Sequence, residues 1–405
     1  MKIIKDSIVY VSGEVLTKLI PFLMLPYLTR ELGPSQFGEL ANTLAYVAMV
    51  SIFVGLSQEG ALARYYYRYG FKAIHLVYVS CVVYSLGAVF TISLFIYLFS
   101  FDDEVSLFIL LLSLSQTLLT SQLSLKQVQK KPKDYVFIQV TCSLASVILT
   151  ITFFELFGST YELRLLSVIL ANLLSLCVGT YLNSSVFFRG RSINIKTLKK
   201  TNKYIVFYGA PLLVHKVSFF VKGNVDKIVV FNYFSAEELG SYSAAFQLSS
   251  VVMIVLASMN KALVPYYYEA LKSGSLNANR IKSFAFKCYP LIALVSLPFF
   301  FIPDEVYIFV LGKGYDNVAQ YVGVFVLGFA LQIPYYLTVN FYFYHAKTVT
   351  ISKITFFSSF LYILSLFFFS RLSIAYIPYA LVIANLSSSI FLIILLNRSK
   401  NEKVL

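Results

Sequence analysis

Tryptophan is absent from the 405 residues, histidine occurs three times and cysteine four times. Cys81, Cys142, Cys177 and Cys288 each stand alone in an apolar run, so neither a disulfide framework nor a zinc-ligand pattern is spelled out. They read as small core side chains. His75 and His345 sit at helix ends among basic residues, which argues against a metal site. There is no Walker-type phosphate loop, no nucleophile–base set and no large polar loop, so neither an enzyme nor a cofactor is expected. Nor does a small-residue cleavage site close a short apolar segment at the start. Met1 to Asp6 is therefore expected to lead into a full-length span that stays on the protein.

Charge is scarce as well, at 13% of residues, against about 25% in an ordinary soluble domain. What fills the space is hydrocarbon: 58% of residues are hydrophobic. A helix needs about 20 apolar residues to cross a bilayer, and twelve such runs can be read. They cover 7–28, 40–62, 74–100, 105–125, 135–154, 165–188, 204–232, 240–263, 284–302, 318–344, 350–370 and 374–396. The fold class is therefore all-α integral membrane. The expected division is an N-terminal six-helix lobe 1–188, a basic cytoplasmic connector 189–203, a C-terminal six-helix lobe 204–397 and a cytoplasmic tail 398–405.

Basic residues set the orientation. With a cytoplasmic N-terminus, 24 of the 33 lysines and arginines fall in loops or at helix ends on the cytoplasmic side, and four (Arg30, Arg164, Lys313, Arg371) on the other. Acidic groups such as Asp102-Asp103-Glu104, Glu237-Glu238 and Asp304-Glu305 go the opposite way. This is the positive-inside pattern. It accounts for the net charge of +14 through topology, with no need of nucleic acid as a partner, and places both termini in the cytoplasm.

The two halves also resemble each other. Leu28 to Tyr67, with Leu32-Gly33-Pro34-Ser35-Gln36-Phe37-Gly38 and a closing Arg64-Tyr65-Tyr66-Tyr67, parallels Val230 to Tyr268, with Ser235-Ala236-Glu237-Glu238-Leu239-Gly240 and a closing Pro265-Tyr266-Tyr267-Tyr268. Gly38 matches Gly240 at an offset of 202. Because six spans is an even number, both halves enter from the same side, as parallel repeats do.

These motifs, with Tyr208-Gly209-Ala210-Pro211 early in the seventh span and Asp226-Lys227 late in it, resemble the polysaccharide-exporter branch of the multidrug/oligosaccharidyl-lipid/polysaccharide superfamily, nearest the Wzx-type O-antigen flippases. The resemblance implies two pseudo-symmetric six-helix bundles, MATE-like and V-shaped, in the bacterial inner membrane. The implied substrate is undecaprenyl-pyrophosphate-linked oligosaccharide, moved from the cytoplasmic to the periplasmic leaflet. A polysaccharide polymerase and a chain-length regulator are the implied protein partners. In that superfamily helices 1, 2, 7 and 8 line the cavity, and all eight intramembrane charges of this chain fall on those spans.

Those charges are Lys18, Lys216, Lys222, Lys227 and Lys261, with Glu14, Glu59 and Asp226. An ionised group at membrane depth is costly unless it faces a cavity or a partner, so each is a candidate for function. At about 100° per residue, the seventh span gathers Lys216, Lys222, Asp226 and Lys227 within an arc of about 140°. Lys222 with Asp226, and Glu14 with Lys18, are four apart and can pair. The lysines are the expected seat of an anionic pyrophosphate, since ammonium groups supply charge-assisted donors without one fixed geometry. Snorkelling to an interface is the bland alternative, strongest for Lys227 and Lys261. The carboxylates are the expected gating or ion-coupling groups. At the repeat offset Glu14 corresponds to Lys216 and Glu59 to Lys261, acid to base, which suggests an inner gate.

Pro21, Pro26 and Pro211 permit bends in the first and seventh spans. The tyrosine triplets read as an aromatic belt at the interface, with sugar stacking as the sharper alternative. Three other readings compete. A MATE-like drug or cation antiporter should concentrate carboxylates, a major-facilitator transporter should carry a basic glycine-rich motif between spans 2 and 3, and a membrane glycosyl-polymerase or ligase needs a sizeable external loop. None of these features is present.

Overall fold

The computed structural model describes residue 13 and residues 17–70, 74–99, 104–184 and 194–396. Among them the protein is helical throughout. Its helices are α1 Leu25–Gly55, α2 Gln58–Tyr69, α3 Ile74–Leu98, α4 Glu104–Val128, α5 Pro132–Phe157, α6 Tyr161–Leu182 and α7 Ile195–Tyr233. They continue as α8 Ala236–Lys272, α9 Ala278–Ser296, α10 Asp304–Leu311, α11 Ala319–Ala330, α12 Gln332–Tyr344, α13 Thr348–Ser370 and α14 Tyr379–Leu396. Eleven helical stretches among the described residues are long and apolar enough to cross a membrane. Part of the expected first span, residues 7–12 and 14–16 with Glu14 among them, lies outside the described residues, although residues 17–23 are helical.

Two compact units share these helices. One contains Met1–Met24 and Leu40–Val217, the other Leu25–Glu39 and Ser218–Leu405. Chain order and compact unit thus part company at two places: the turn region before residue 40 belongs with the later helices, and the first half of α7 with the earlier ones. α7 itself begins at Ile195, so the second half of the expected connector is already helix. Pro211 accordingly lies inside α7, not at its opening. Cys81 is fully buried, whereas Cys177, expected in the core, is exposed on α6.

In the first unit the path of the chain is decided by a break between α1 and α2. Leu56 and Ser57 both adopt left-handed backbone, at φ 39° and 54°. Such a conformation costs a non-glycine residue of order 1–3 kcal/mol and persists only when its surroundings impose it. Here the surroundings are polar and fully buried. Gln58 donates from Nε2 to the Val54 carbonyl at 3.3 Å, the Cys81 carbonyl at 3.2 Å and Ser85 Oγ at 2.9 Å. Ser85 Oγ donates to the Val54 carbonyl at 3.1 Å, and Ser121 Oγ to Gln58 Oε1 at 3.3 Å. The Val54 carbonyl beside the break is thereby paired, as hydrocarbon demands. The consequence is positional: α2 restarts with Glu59 in its first turn.

A second buried element ties α4, α5 and α6 together. Lys126 reads from sequence as one of the cytoplasmic loop cations, yet its side chain has no solvent exposure. Its ammonium lies 3.0 Å from Asp134 Oδ2 and donates to the Leu182 carbonyl at 2.8 Å. Beside it Asn183 Nδ2 donates to Gln122 Oε1 at 2.6 Å, and Gln122 Nε2 to the Tyr78 hydroxyl at 2.9 Å. Removing one partner of a buried pair leaves the other charge uncompensated. Because the Asp134 side chain is 33% exposed, the expected loss for Lys126→Ala is no more than the low end for breaking a buried pair, about 3 kcal/mol. Thermal unfolding in detergent should show this, with Lys126→Met combined with Asp134→Leu recovering most of it.

The second unit closes on a contact between the two repeat-equivalent glycines. Gly33, at φ 66°, turns the chain ahead of Pro34, and the helix resumes from there. Gly38 then abuts the start of α8: a Cβ on Gly38 would lie 1.8 Å from the Ala236 carbonyl oxygen, and one on Gly240 would lie 1.9 Å from the Pro34 carbonyl oxygen. Ser235 caps α8, accepting from the Glu238 amide at 3.1 Å while Glu238 reaches back to within 3.3 Å of its hydroxyl. Ser235 is thus the N-cap of α8. Behind it α8 and α11 interlock through Tyr242, Phe246, Phe325 and Phe329, with ring centroids 5.1 to 5.4 Å apart.

Candidate functional site

The charged face expected on α7 resolves into two different environments. In the first unit, Lys216 Nζ meets Glu59 Oε1 at 2.7 Å, with both side chains about two-fifths exposed or slightly less. Glu59 is held at the start of α2 by the break before it, and its own carbonyl accepts from Ser124 Oγ at 3.1 Å. Helix α7 can come this close because Gly209 packs on Leu56 and Gly60 on Tyr208. Within this unit Glu59 is thus paired with Lys216. Repeat alignment pairs equivalent positions, whereas contact follows from which helices touch.

An ion pair so exposed contributes only about 0–1 kcal/mol to stability. Its effect should be on transport instead. Glu59→Lys and Lys216→Glu are each expected to slow transport with little change in melting temperature, and the charge-swapped double variant to restore it. A double variant no better than the singles would exclude a gating role for the pair.

In the second unit, Asp226 is buried on α7. The Tyr242 hydroxyl donates to its Oδ2 at 2.6 Å, Lys227 Nζ lies 3.9 Å from its Oδ1, and Tyr362 of α13, also buried, is within interaction range. Oδ1 accepts no hydrogen bond from any described group. Lys227 is fully engaged: besides Asp226 it donates to the Gly223 carbonyl at 2.5 Å and sits 4.1 Å above the Phe246 ring. A cation held this way stabilises a buried carboxylate.

Lys222, one turn earlier, is left over. The expected Lys222–Asp226 pair does not form; Asp226 has Tyr242 and Lys227 as its neighbours instead. Lys222 is half-buried and has no hydrogen-bonding or ionic partner among the described residues. A Cβ built on the adjacent Gly223 would meet nothing within 4 Å, so this stretch of α7 borders open space. An ammonium without a counter-charge, next to room for a ligand, can receive an anion. Lys18 is exposed on the helical segment 17–23, and Lys261 is exposed on α8.

Sequence reasoning found the charges but missed their neutral partners. Tyr242 and Tyr362 carry no signal of their own in a chain with 31 tyrosines. The engagement of Lys227 was foreshadowed only by Phe246 and by the i,i+4 spacing to Gly223.

The model of the family described as polysaccharide biosynthesis protein matches residues 3–270. The chain belongs to that family. It is 35% identical over 390 residues to "Lsg locus putative protein 1" of Haemophilus influenzae, covering 96% of each chain. To the "Putative O-antigen transporter" of Shigella flexneri it is 26% identical over 281 residues, covering 65% of this chain and 66% of that one. Among solved structures, it superposes on an inward-facing multidrug resistance MATE family transporter of the MOP superfamily with a TM-score of 0.65 at 14% identity, covering 96% of this chain and 100% of that one. The family member is thus a multi-pass membrane protein with the MOP transporter fold, as the motifs around Gly38, Gly240 and Asp226 implied.

Proposed function

We propose that this family member is a flippase. It carries undecaprenyl-pyrophosphate-linked oligosaccharide, an O-antigen or other surface polysaccharide repeat unit, from the cytoplasmic to the periplasmic leaflet of the bacterial inner membrane by alternating access. The observation that carries the reading is Lys222: an ammonium at membrane depth, beside open space, with no counter-charge among the described residues. Diphosphate is the ligand chemistry that compensates it, while the polyprenyl tail remains in lipid. Lys18 and Lys261 add positive charge to attract the same headgroup. Lys216 belongs to the gate with Glu59, and Lys227 to the Asp226 cluster.

Asp226, whose Oδ2 accepts from Tyr242 while its Oδ1 accepts no hydrogen bond from a described group and lies 3.9 Å from Lys227 Nζ, is the proposed ion-coupling residue. Uptake of a proton or sodium ion there would loosen its tie to Lys227. In this reading both termini are cytoplasmic, each six-helix lobe moves largely as a body, and a polysaccharide polymerase with its chain-length regulator consumes the exported product.

The test is a reconstituted flipping assay. Proteoliposomes carrying undecaprenyl-pyrophosphate oligosaccharide with a fluorescent sugar are exposed to an impermeant quencher. The protein is expected to speed transbilayer exchange over protein-free vesicles. Equal rates, or exchange of a cationic dye in place of the lipid, would refute the proposal, the second outcome favouring an antiporter.

A further inference from the structure

Near the far end of α2 from Glu59, the first unit carries a run of aromatic rings that the pyrophosphate reading does not use. Tyr65 and Tyr69 of α2 have centroids 4.5 Å apart, Tyr65 meets Tyr204 of α7 at 5.2 Å, and Tyr204 meets Tyr208 at 6.2 Å. Guanidinium groups close both ends of the run: Arg64 lies 5.7 Å from the Tyr208 ring and Arg68 lies 5.4 Å from the Tyr69 ring. Tyr204 is within electrostatic reach of both arginines.

These rings differ from an interfacial belt in how they are held. Tyr65, Tyr66, Tyr204 and Tyr208 pack on the buried cluster of Leu56, Leu62, Ile74 and Leu125, so each has one side fixed by the core of the unit. Their other sides are partly open, and Tyr69 is 52% exposed. Belt tyrosines face lipid from apolar helices, whereas α2 carries Glu59, Arg64 and Arg68 within twelve residues. The result is a half-exposed row of rings braced by the core, with Arg64 over the Tyr208 ring, Arg68 over the Tyr69 ring and the Tyr204 hydroxyl buried.

We propose that this row on α2 and the first half of α7 is the docking surface for the sugar rings of the oligosaccharide, separate from the seat of its pyrophosphate. The inference rests on the flippase reading for the ligand's identity. Pyranose rings present flat patches of polarised C–H that stack on electron-rich aromatic faces, and the surrounding hydroxyls accept from arginine and tyrosine. Fixing the rings in advance removes the entropy cost of ordering them on binding.

Saturation-transfer NMR on the full chain in nanodiscs, with the repeat-unit oligosaccharide released from the strain's own polysaccharide as probe, tests this. Saturation should pass from tyrosine to the sugar C–H protons. Tyr204→Leu with Tyr208→Leu should weaken the sugar roughly tenfold, and the same double change to Phe should stay near wild type because the π-faces remain. Binding of inorganic pyrophosphate should be unaffected in both. Unchanged sugar affinity in the leucine variant overturns the proposal, as does saturation passing only to lipid headgroups, which would make the rings a membrane contact. Loss of binding in the phenylalanine variant would also overturn it, by showing hydrogen bonding in place of stacking. Should the leucine variant flip the lipid-linked substrate at the wild-type rate, the platform fails while the flippase reading stands. If the wild type flips nothing, the flippase reading fails whatever the NMR shows.

Discussion

Lys222→Ala is expected to abolish most transport and to leave the protein as stable as before, or slightly more so. The two halves of that result have separate causes. An ammonium that compensates a phosphate contributes a charge-assisted hydrogen bond of about 1.5–3 kcal/mol, so its removal should slow flipping roughly 10- to 100-fold. No described protein group loses a partner in exchange, since Lys222 has none. Removing an uncompensated charge at membrane depth relieves a cost and so does not lower the melting temperature. Lys222→Arg keeps the charge and should retain part of the rate. Wild-type flipping by the alanine variant in the reconstituted assay would remove Lys222 from the mechanism. A large fall in melting temperature would instead assign it a structural role.

Gly240→Val is expected to have the opposite signature, with folded protein lost before function can be asked about. A Cβ at this position would lie 1.9 Å from the Pro34 carbonyl oxygen, and one at Gly38 would lie 1.8 Å from that of Ala236. Both neighbours are backbone, so no rotamer change relieves the clash and two helix starts must separate. Overpacking costs about 1–3 kcal/mol where side chains can adjust, and at least the upper figure is expected here. Gly38→Ala and Gly240→Ala should each lower the melting temperature measurably, with the valine variants recovered mainly as aggregate on size exclusion. Gly87→Ala is the control, because a Cβ there meets nothing within 4 Å. Helix propensity alone should then leave it neutral or stabilised by up to about 1 kcal/mol. Normal melting of Gly240→Val would show that the contact between α1 and α8 is not a tight one in the membrane.

The same glycines show how far the sequence could be read. The match of Gly38 to Gly240 revealed an internal repeat, and hydropathy revealed the spans, because both signals are local and periodic. Nothing local says that two repeat-equivalent glycines touch each other. The site divides along the same line. All eight intramembrane charges were legible, since a charge in an apolar run is conspicuous. Their partners were not: spacing along one helix suggested Lys222 with Asp226. The structure joins Lys216 to Glu59 and gives Asp226 to Tyr242 and Lys227. Lys126 shows the converse, a residue at a loop edge in sequence but completely buried because Asp134 and the end of α6 close over it.

By itself the sequence determined that this chain lives in a membrane as helices, that it is built twice, and that its costly charges gather on a few spans. These follow from solvent chemistry and from a period of 3.6 residues, and need no knowledge of contacts. Only tertiary structure decided which charges cancel and that, among the described residues, Lys222 has no partner. That depends on which helices approach, and the approach is set by glycines and by a buried polar break whose partners lie far apart along the chain.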